Sequence, residues 1–240
     1  MNNYEITAVL FDWDLTLARI LGEVSPAERT AAVFNQGGIL CTPGQMQQAM
    51  NVCKTEPHLA KSLGCAKKPQ TRREIMQYYK QLLVQLGYHN ISRTMLNTLY
   101  SAYGHLPTYL YEDALPLLDK LQQQGYRLGI ISNHAISARA TMERFVSSYI
   151  PPENIIISQE EDVHKPAKTI YKRAAARLRV HPAECVLIGD NLCVDAIGAV
   201  ERGNFGMGLW LDRKELGTTK QLPQGVARIT TLQQVTNYLA

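Results

Sequence analysis

The sequence predicts an α/β protein: a doubly wound parallel sheet interrupted by an all-helical insert. Three observations predict it. Short apolar runs rich in Val, Ile and Leu lack polar alternation, as strands buried on both faces do. Helical patterns alternate with those runs through the second half of the chain, which implies a sheet covered on both sides. From about Leu17 to Pro107 the alternation stops, and only helical periodicity remains.

The first run, Ile6–Phe11, ends in a carboxylate. The insert then holds helical patterns at Ala27–Asn35, Gly44–Val52, Thr71–Leu86 and Ser92–Tyr103. Gly37-Gly38, Pro43-Gly44, Pro69 and Gly87 separate them. No strand is expected there, so 17–107 reads as a second, smaller domain and leaves 1–16 and 108–240 for the core. The core resumes with a helix at Asp113–Gln124, closed by Gly125 where a helix end needs a left-handed residue. The run Arg127–Ser132, a helix at Ile136–Val146 and the run Asn154–Ser158 follow. A helix at Ala167–Leu178, the run Cys185–Ile188, a helix at Val194–Glu201 closed by Gly203, and the run Gly206–Leu211 complete the pattern.

Composition excludes several classes. With 240 residues, 45% hydrophobic and 19% charged, the chain lies near the globular average and is long enough to bury a large core. The five cysteines, Cys41, Cys53, Cys65, Cys185 and Cys193, are odd in number and have no two-residue spacing, so reduced thiols are expected. No run approaches the roughly 20 apolar residues of a membrane span, and the first is too short for a signal segment. A cytoplasmic protein without membrane contact is expected. The net charge of +4 is local: Lys54 to Arg93 carries +6 and the rest −2. That balance gives no reason to expect nucleic acid. The basic stretch reads as a solvated face, or as Lys67, Lys68, Arg72 or Arg73 attracting an anion.

Four motifs lie at the C-terminal ends of predicted strands, the edge where open α/β sheets bind ligands. In Asp12-Trp13-Asp14-Leu15-Thr16, carboxylates two residues apart in extended chain point the same way. Two like charges so close call for a cation, and hard oxygen ligands suit Mg²⁺. Ser132-Asn133 offers a hydroxyl and backbone N–H groups at a strand-to-helix junction, a place for an anion. Lys165, before Pro166 and a helix, can set an ammonium against a phosphate. Gly189-Asp190, with Asp195 five positions later, adds acids at the same edge. His134 reads as a substrate contact or a helix-start residue, and the Tyr78-Tyr79 pair as helix packing.

In this order and strand context, the four motifs resemble the haloacid dehalogenase-like (HAD) superfamily, in its phosphatase branch with an inserted helical cap (phosphoglycolate phosphatase-like). The resemblance implies a Rossmann-like core and a mobile cap. It implies Asp12 as nucleophile forming an aspartyl-phosphate, and Asp14 as general acid and then base. Mg²⁺ would be held by Asp12, the Asp14 backbone carbonyl and Asp190, with Asp195 in support. Ser132, the backbone at Asn133 and Lys165 would hold the phosphoryl oxygens, and Thr16 would orient Asp14 or the phosphate. The activity implied is Mg²⁺-dependent hydrolysis of a small phosphorylated metabolite by a monomer or homodimer. Asp14 argues against dehalogenation, since a halide leaves without a proton. A phosphosugar mutase, a phosphonate-cleaving enzyme using a cap lysine, and a non-catalytic phosphate-binding member are the alternatives. Two residues depart from the family pattern: Leu15 stands where Gly is usual, and Lys168 where Pro is common.

Overall fold

The structure is a computed structural model that describes residues 5–20, 25–53, 71–218 and 221–239. The chain forms two compact units. One comprises 1–19, 110–133 and 142–240; the other comprises 20–109 and 134–141. In chain order the elements are β1 (Ala8–Phe11), β2 (Ala18–Ile20), α1 (Pro26–Gln36), α2 (Pro43–Val52), α3 (Arg72–Gln85), α4 (Arg93–Ala102) and β3 (Thr108–Leu110). There follow α5 (Ala114–Gln123), β4 (Arg127–Ser132), α6 (Arg139–Val146), β5 (Ile155–Ile157), α7 (Ser158–Glu161) and α8 (Lys168–Arg177). The chain continues through β6 (Cys185–Gly189), a π-turn at Leu192–Ile197, α9 (Gly198–Glu201), β7 (Met207–Leu211) and β8 (Val226–Ile229).

Six strands make one sheet in the order β5-β4-β1-β6-β7-β8, paired in parallel throughout. The expected doubly wound α/β core is present. All residues of β1, β5 and β6 are buried, which is why those runs show no alternation. Leu10, Ile131, Ile156 and Leu187 pack with Ile170, Tyr171 and Ala174 of α8 in one apolar cluster. The chain leaves β1 in one direction to β4 and β5, then returns to β6 on its other side. Such a reversal of strand order marks the place where open α/β sheets bind ligands, here the C-terminal ends of β1, β4 and β6.

Three strands escape the sequence pattern. β2 and β3 are three residues each and form a separate two-stranded sheet, too short to show a period. β2 overturns the expectation of no strand in 17–107, whereas β3 begins just past that segment. β8 is an edge strand that buries only Ile229, so it lacks the continuous apolar signal of its neighbours.

Gly208 in β7 lies against the π-turn. A Cβ there would sit 2.1 Å from the Ala196 carbonyl oxygen and 2.7 Å from that residue's carbonyl carbon and Cα, all of it backbone. Gly208→Ala is therefore expected to lower stability by about 3 kcal/mol, read as a fall in urea midpoint at unchanged m-value.

The second unit is helical because its helices are both amphipathic and well started. The side chains of Ser25, Thr42, Thr71 and Ser92 cap α1 to α4, and Thr42–Gln45 and Thr71–Glu74 form reciprocal capping boxes. Their apolar faces meet around Phe34, Met46, Leu82, Leu83 and Leu99, where Phe34 and Tyr79 pack edge to face at 5.3 Å. Tyr79 is thus a packing residue. Arg72 is engaged within the same unit, donating to Asn97 Oδ1 at 2.8 Å and lying over the Tyr100 ring. Lys54, Lys61, Lys67 and Lys68 of the basic stretch lie outside the described residues, as do Cys65 and His58.

Segment 134–141 belongs with these helices, although in sequence it follows β4. Gly104 lets the Ser137–Ala138 backbone approach, and Ser137 Oγ donates to the Ser101 carbonyl at 2.9 Å. The His134 ring lies against Tyr103, tilted by 38° with centroids 4.4 Å apart, and its Nδ1 accepts the Ala135 N–H at 2.8 Å.

Cys41, Cys53 and Cys185 are free thiols, as expected of those three. Among the described residues no helix is long and apolar enough to cross a membrane.

Candidate active site

The site is built from strand ends of the first unit. Pairing carries β1 one residue past its apolar run, because the Asp12 N–H donates to the Ile188 carbonyl at 2.8 Å. The chain then turns sharply: the Trp13 carbonyl accepts from the N–H groups of Leu17 and Ala18, each at 3.0 Å. The turn needs a left-handed residue and has Leu15 there, at φ +58°. For a non-glycine residue that costs roughly 1–2 kcal/mol. The position the family fills with Gly therefore keeps the glycine conformation here, under strain.

Thr16 is fully buried, and its hydroxyl accepts the Asp190 N–H at 3.1 Å. This ties the loop after β1 to the loop after β6. Asp14, expected among the metal groups through its backbone carbonyl, is half-buried and bridges to Ala18.

Lys165 is buried to 1% exposure, and its ammonium lies between two carboxylates. Nζ donates to Asp12 Oδ1 at 2.8 Å and to Asp195 Oδ1 at 2.7 Å. Its backbone is held from β4: Asn133 Nδ2 donates to the Lys165 carbonyl at 2.9 Å, and Asn133 Oδ1 accepts the Lys165 N–H at 2.7 Å. The sequence points to the Asn133 backbone; the structure adds a side-chain role. Ser132, beside it at the end of β4, is buried.

Asp195 is also almost wholly buried. The Asn191 N–H donates to its Oδ2 at 3.0 Å, while Asn191 Oδ1 caps the turn by accepting from Cys193 and Val194 N–H. A Cβ at Gly189 would fall 2.3 Å from Asp195 Oδ2, so only glycine lets this carboxylate lie against the end of β6.

Carboxylate oxygens of Asp12, Asp190 and Asp195 all lie within 4.8 Å of one another. Three carboxylates against one ammonium suit a divalent cation, and their hard oxygens fit Mg²⁺. The electrostatics agree. Burial raises the Asp12 carboxyl well above the ordinary carboxylate range; Lys165 opposes this, and Asp195 and Asp190 add to it. Burial by itself would lower the Lys165 pKa, but Asp12 and Asp195 outweigh it and keep the ammonium charged. The two shifts pull oppositely on one pair. Lys165 stays protonated, and Asp12 ionises less readily than an exposed carboxyl until a further cation is present.

The structure thus brings Asp12, Lys165, Asp190, Asp195 and the Thr16 hydroxyl together. Sequence reasoning missed Asn191 and Trp210, whose indole N–H donates to the Asp190 carbonyl at 3.1 Å. Asn191 carried a readable signal, since Asn before a helical turn is a strong N-cap. Trp210 carried none.

A family model described as haloacid dehalogenase-like hydrolase matches residues 6–201. The chain is a haloacid dehalogenase-like hydrolase. Its similarity to named members is partial in sequence and extensive in fold. It is 36% identical over 94 residues to a glyceraldehyde 3-phosphate phosphatase of Methanopyrus kandleri, covering 39% of this chain and 40% of that one. It is 33% identical over 92 residues to a ribulose-1,5-bisphosphate 5-phosphatase of Halopiger xanaduensis, covering 38% of each. The chain therefore spans about two fifths of the length of these curated relatives. A HAD hydrolase from Bacillus subtilis, solved bound to magnesium, superposes over 98% of this chain and 99% of its own with a TM-score of 0.71 at 17% identity. At that identity the likeness speaks to the fold of this HAD hydrolase and to nothing finer.

Proposed function

We propose that this HAD hydrolase is a Mg²⁺-dependent phosphatase acting on a small phosphorylated metabolite through an aspartyl-phosphate. The observation that carries the reading is the buried ammonium of Lys165 between Asp12 and Asp195, with Asp190 in the same cluster. A second aspartate, Asp14, two residues after Asp12 supports phosphate over halide chemistry, and the relatives named as sugar-phosphate phosphatases point the same way.

Asp12, Asp190 and the Asp14 backbone carbonyl would hold Mg²⁺, with Asp195 in support. When bound, the ion offsets the repulsion between carboxylate and phosphate. An Asp12 oxygen attacks phosphorus, the bond to the leaving oxygen opens, and that oxygen takes the proton of Asp14. Water then attacks the acyl phosphate and gives its proton to Asp14; phosphate departs and Asp12 is regenerated. Ser132, the Asn133 backbone and Lys165 hold the phosphoryl oxygens as charge shifts. Thr16 acts by keeping the two acidic loops in register.

The test is phosphate release from a panel of phosphorylated metabolites that includes glyceraldehyde 3-phosphate and ribulose 1,5-bisphosphate. Release from at least one member is expected with Mg²⁺ and not with EDTA, using the Asp12→Asn protein as blank. Equal release with and without Mg²⁺, or transfer to a second sugar with little free phosphate, contradicts the reading.

A further inference from the structure

We infer that Trp210 and Arg213, on β7 and just beyond it, are positioning residues for the metal-binding edge. The inference rests on the reading of the acidic cluster as a Mg²⁺ site. Asp190 is gripped through its backbone at both ends: its N–H donates to Thr16 Oγ1 at 3.1 Å, and its carbonyl accepts the Trp210 indole N–H at 3.1 Å. With both peptide groups fixed, little backbone freedom is left in aiming the Asp190 carboxylate at Asp12 and Asp195. Thr16 is held in turn by Arg213, whose Nη2 donates to the Thr16 carbonyl at 2.9 Å. The two contacts therefore form one chain, from Arg213 through Thr16 and Asp190 to Trp210.

Arg213 is itself anchored so that it cannot drift. It meets Asp113 through both oxygens, Nη2 to Oδ1 at 2.8 Å and Nη1 to Oδ2 at 3.0 Å. Asp113 Oδ2 also accepts the Leu232 N–H at 2.9 Å. The guanidinium lies 3.8 Å from the centroid of the Tyr111 ring, and its Nε is buried without an acceptor among the described residues. Leaving a buried donor unmatched costs free energy, so the placement serves the Thr16 contact more than Arg213's own satisfaction. The planar fork meets both Asp113 oxygens and still reaches the Thr16 carbonyl, a bidentate geometry that the single ammonium of a lysine does not reproduce.

The test measures Mg²⁺ binding to the full chain by calorimetry without substrate, alongside the Mg²⁺ concentration giving half-maximal phosphate release and the Tm in EDTA. Trp210→Phe keeps an aromatic ring and removes the N–H; Arg213→Lys keeps the charge and removes the fork. Each is expected to weaken Mg²⁺ binding about tenfold, the usual size of such supporting contacts, while phosphate release recovers at high Mg²⁺. If either variant does not fold, Asp113→Asn, which loosens Arg213 from the far side, is expected to weaken Mg²⁺ about threefold. Parent-like Mg²⁺ affinity in the folded variants overturns the inference, even if their Tm falls, because that is what packing alone would produce. A parent protein that binds no Mg²⁺ overturns the metal reading itself and this inference with it. A parent that binds Mg²⁺ beside unaffected variants overturns the inference alone.

Discussion

Asp12→Asn is expected to cut phosphate release by about 10⁴-fold or more at saturating Mg²⁺, while the protein melts at the parent temperature or slightly above it. An amide cannot form the acyl phosphate and is a poorer metal ligand than a carboxylate, so both proposed uses of Asp12 fail together. The fold does not depend on that charge. Lys165 keeps Asp195 at 2.7 Å, and the amide oxygen introduced by the substitution can still accept from its ammonium. The sign follows from burial. The folded protein raises the Asp12 carboxyl above its unfolded value, so its contribution is fully present at low pH and is lost as pH rises through the folded pKa. Near neutrality a neutral amide removes that penalty. Phosphate assay and thermal melting at pH 7 check the two halves separately. Activity near the parent level would remove Asp12 as nucleophile.

Lys165→Met is expected to lose activity and also much stability, about 3–5 kcal/mol, or a Tm lower by roughly 10 °C. Methionine fills similar volume, so the loss isolates the charge from any cavity. Without the ammonium, nothing opposes the burial and the neighbouring Asp195 and Asp190 charges that raise the Asp12 carboxyl, which then holds its proton more tightly. A carboxyl whose folded pKa is raised supports the fold below its unfolded pKa and stops doing so as pH climbs. The Tm deficit should therefore be small near pH 5 and grow toward pH 8. Saturating Mg²⁺ should recover part of it by binding only the folded state. A pH-independent deficit that ignores Mg²⁺ would mean that Lys165 contributes packing and not charge.

These expectations trace back to motifs visible in the linear chain, and that visibility has a physical cause. Strands β1, β4 and β6 are buried on both faces, so their apolar runs are continuous, and a polar residue is admitted only where the strand reaches the sheet edge. Asp12, Ser132 and Asp190 stand at those exits. Lys165 is different: its loop location was legible, but not its burial, which follows from two carboxylates and the Asn133 clamp brought from other strands. Leu15 was legible as a departure; the structure adds that the turn keeps the left-handed geometry regardless.

By itself, then, the sequence determined the alternating α/β core, the helical insert, and the placing of acids, hydroxyl and lysine at strand ends. Local periodicity and the burial of parallel strands dictate all of these within a short stretch of chain. Tertiary structure alone decided which of those groups meet. Asp12 and Lys165 are 153 positions apart, and Thr16 and Asp190 are 174 apart, so only the parallel pairing of β1 with β4 and β6 brings them together. It also decided the supporting contacts of Trp210 and Arg213, the short β2–β3 pair, and the return of 134–141 to the helices. Each of these depends on side chains or backbones far apart in sequence, where no local pattern can register them.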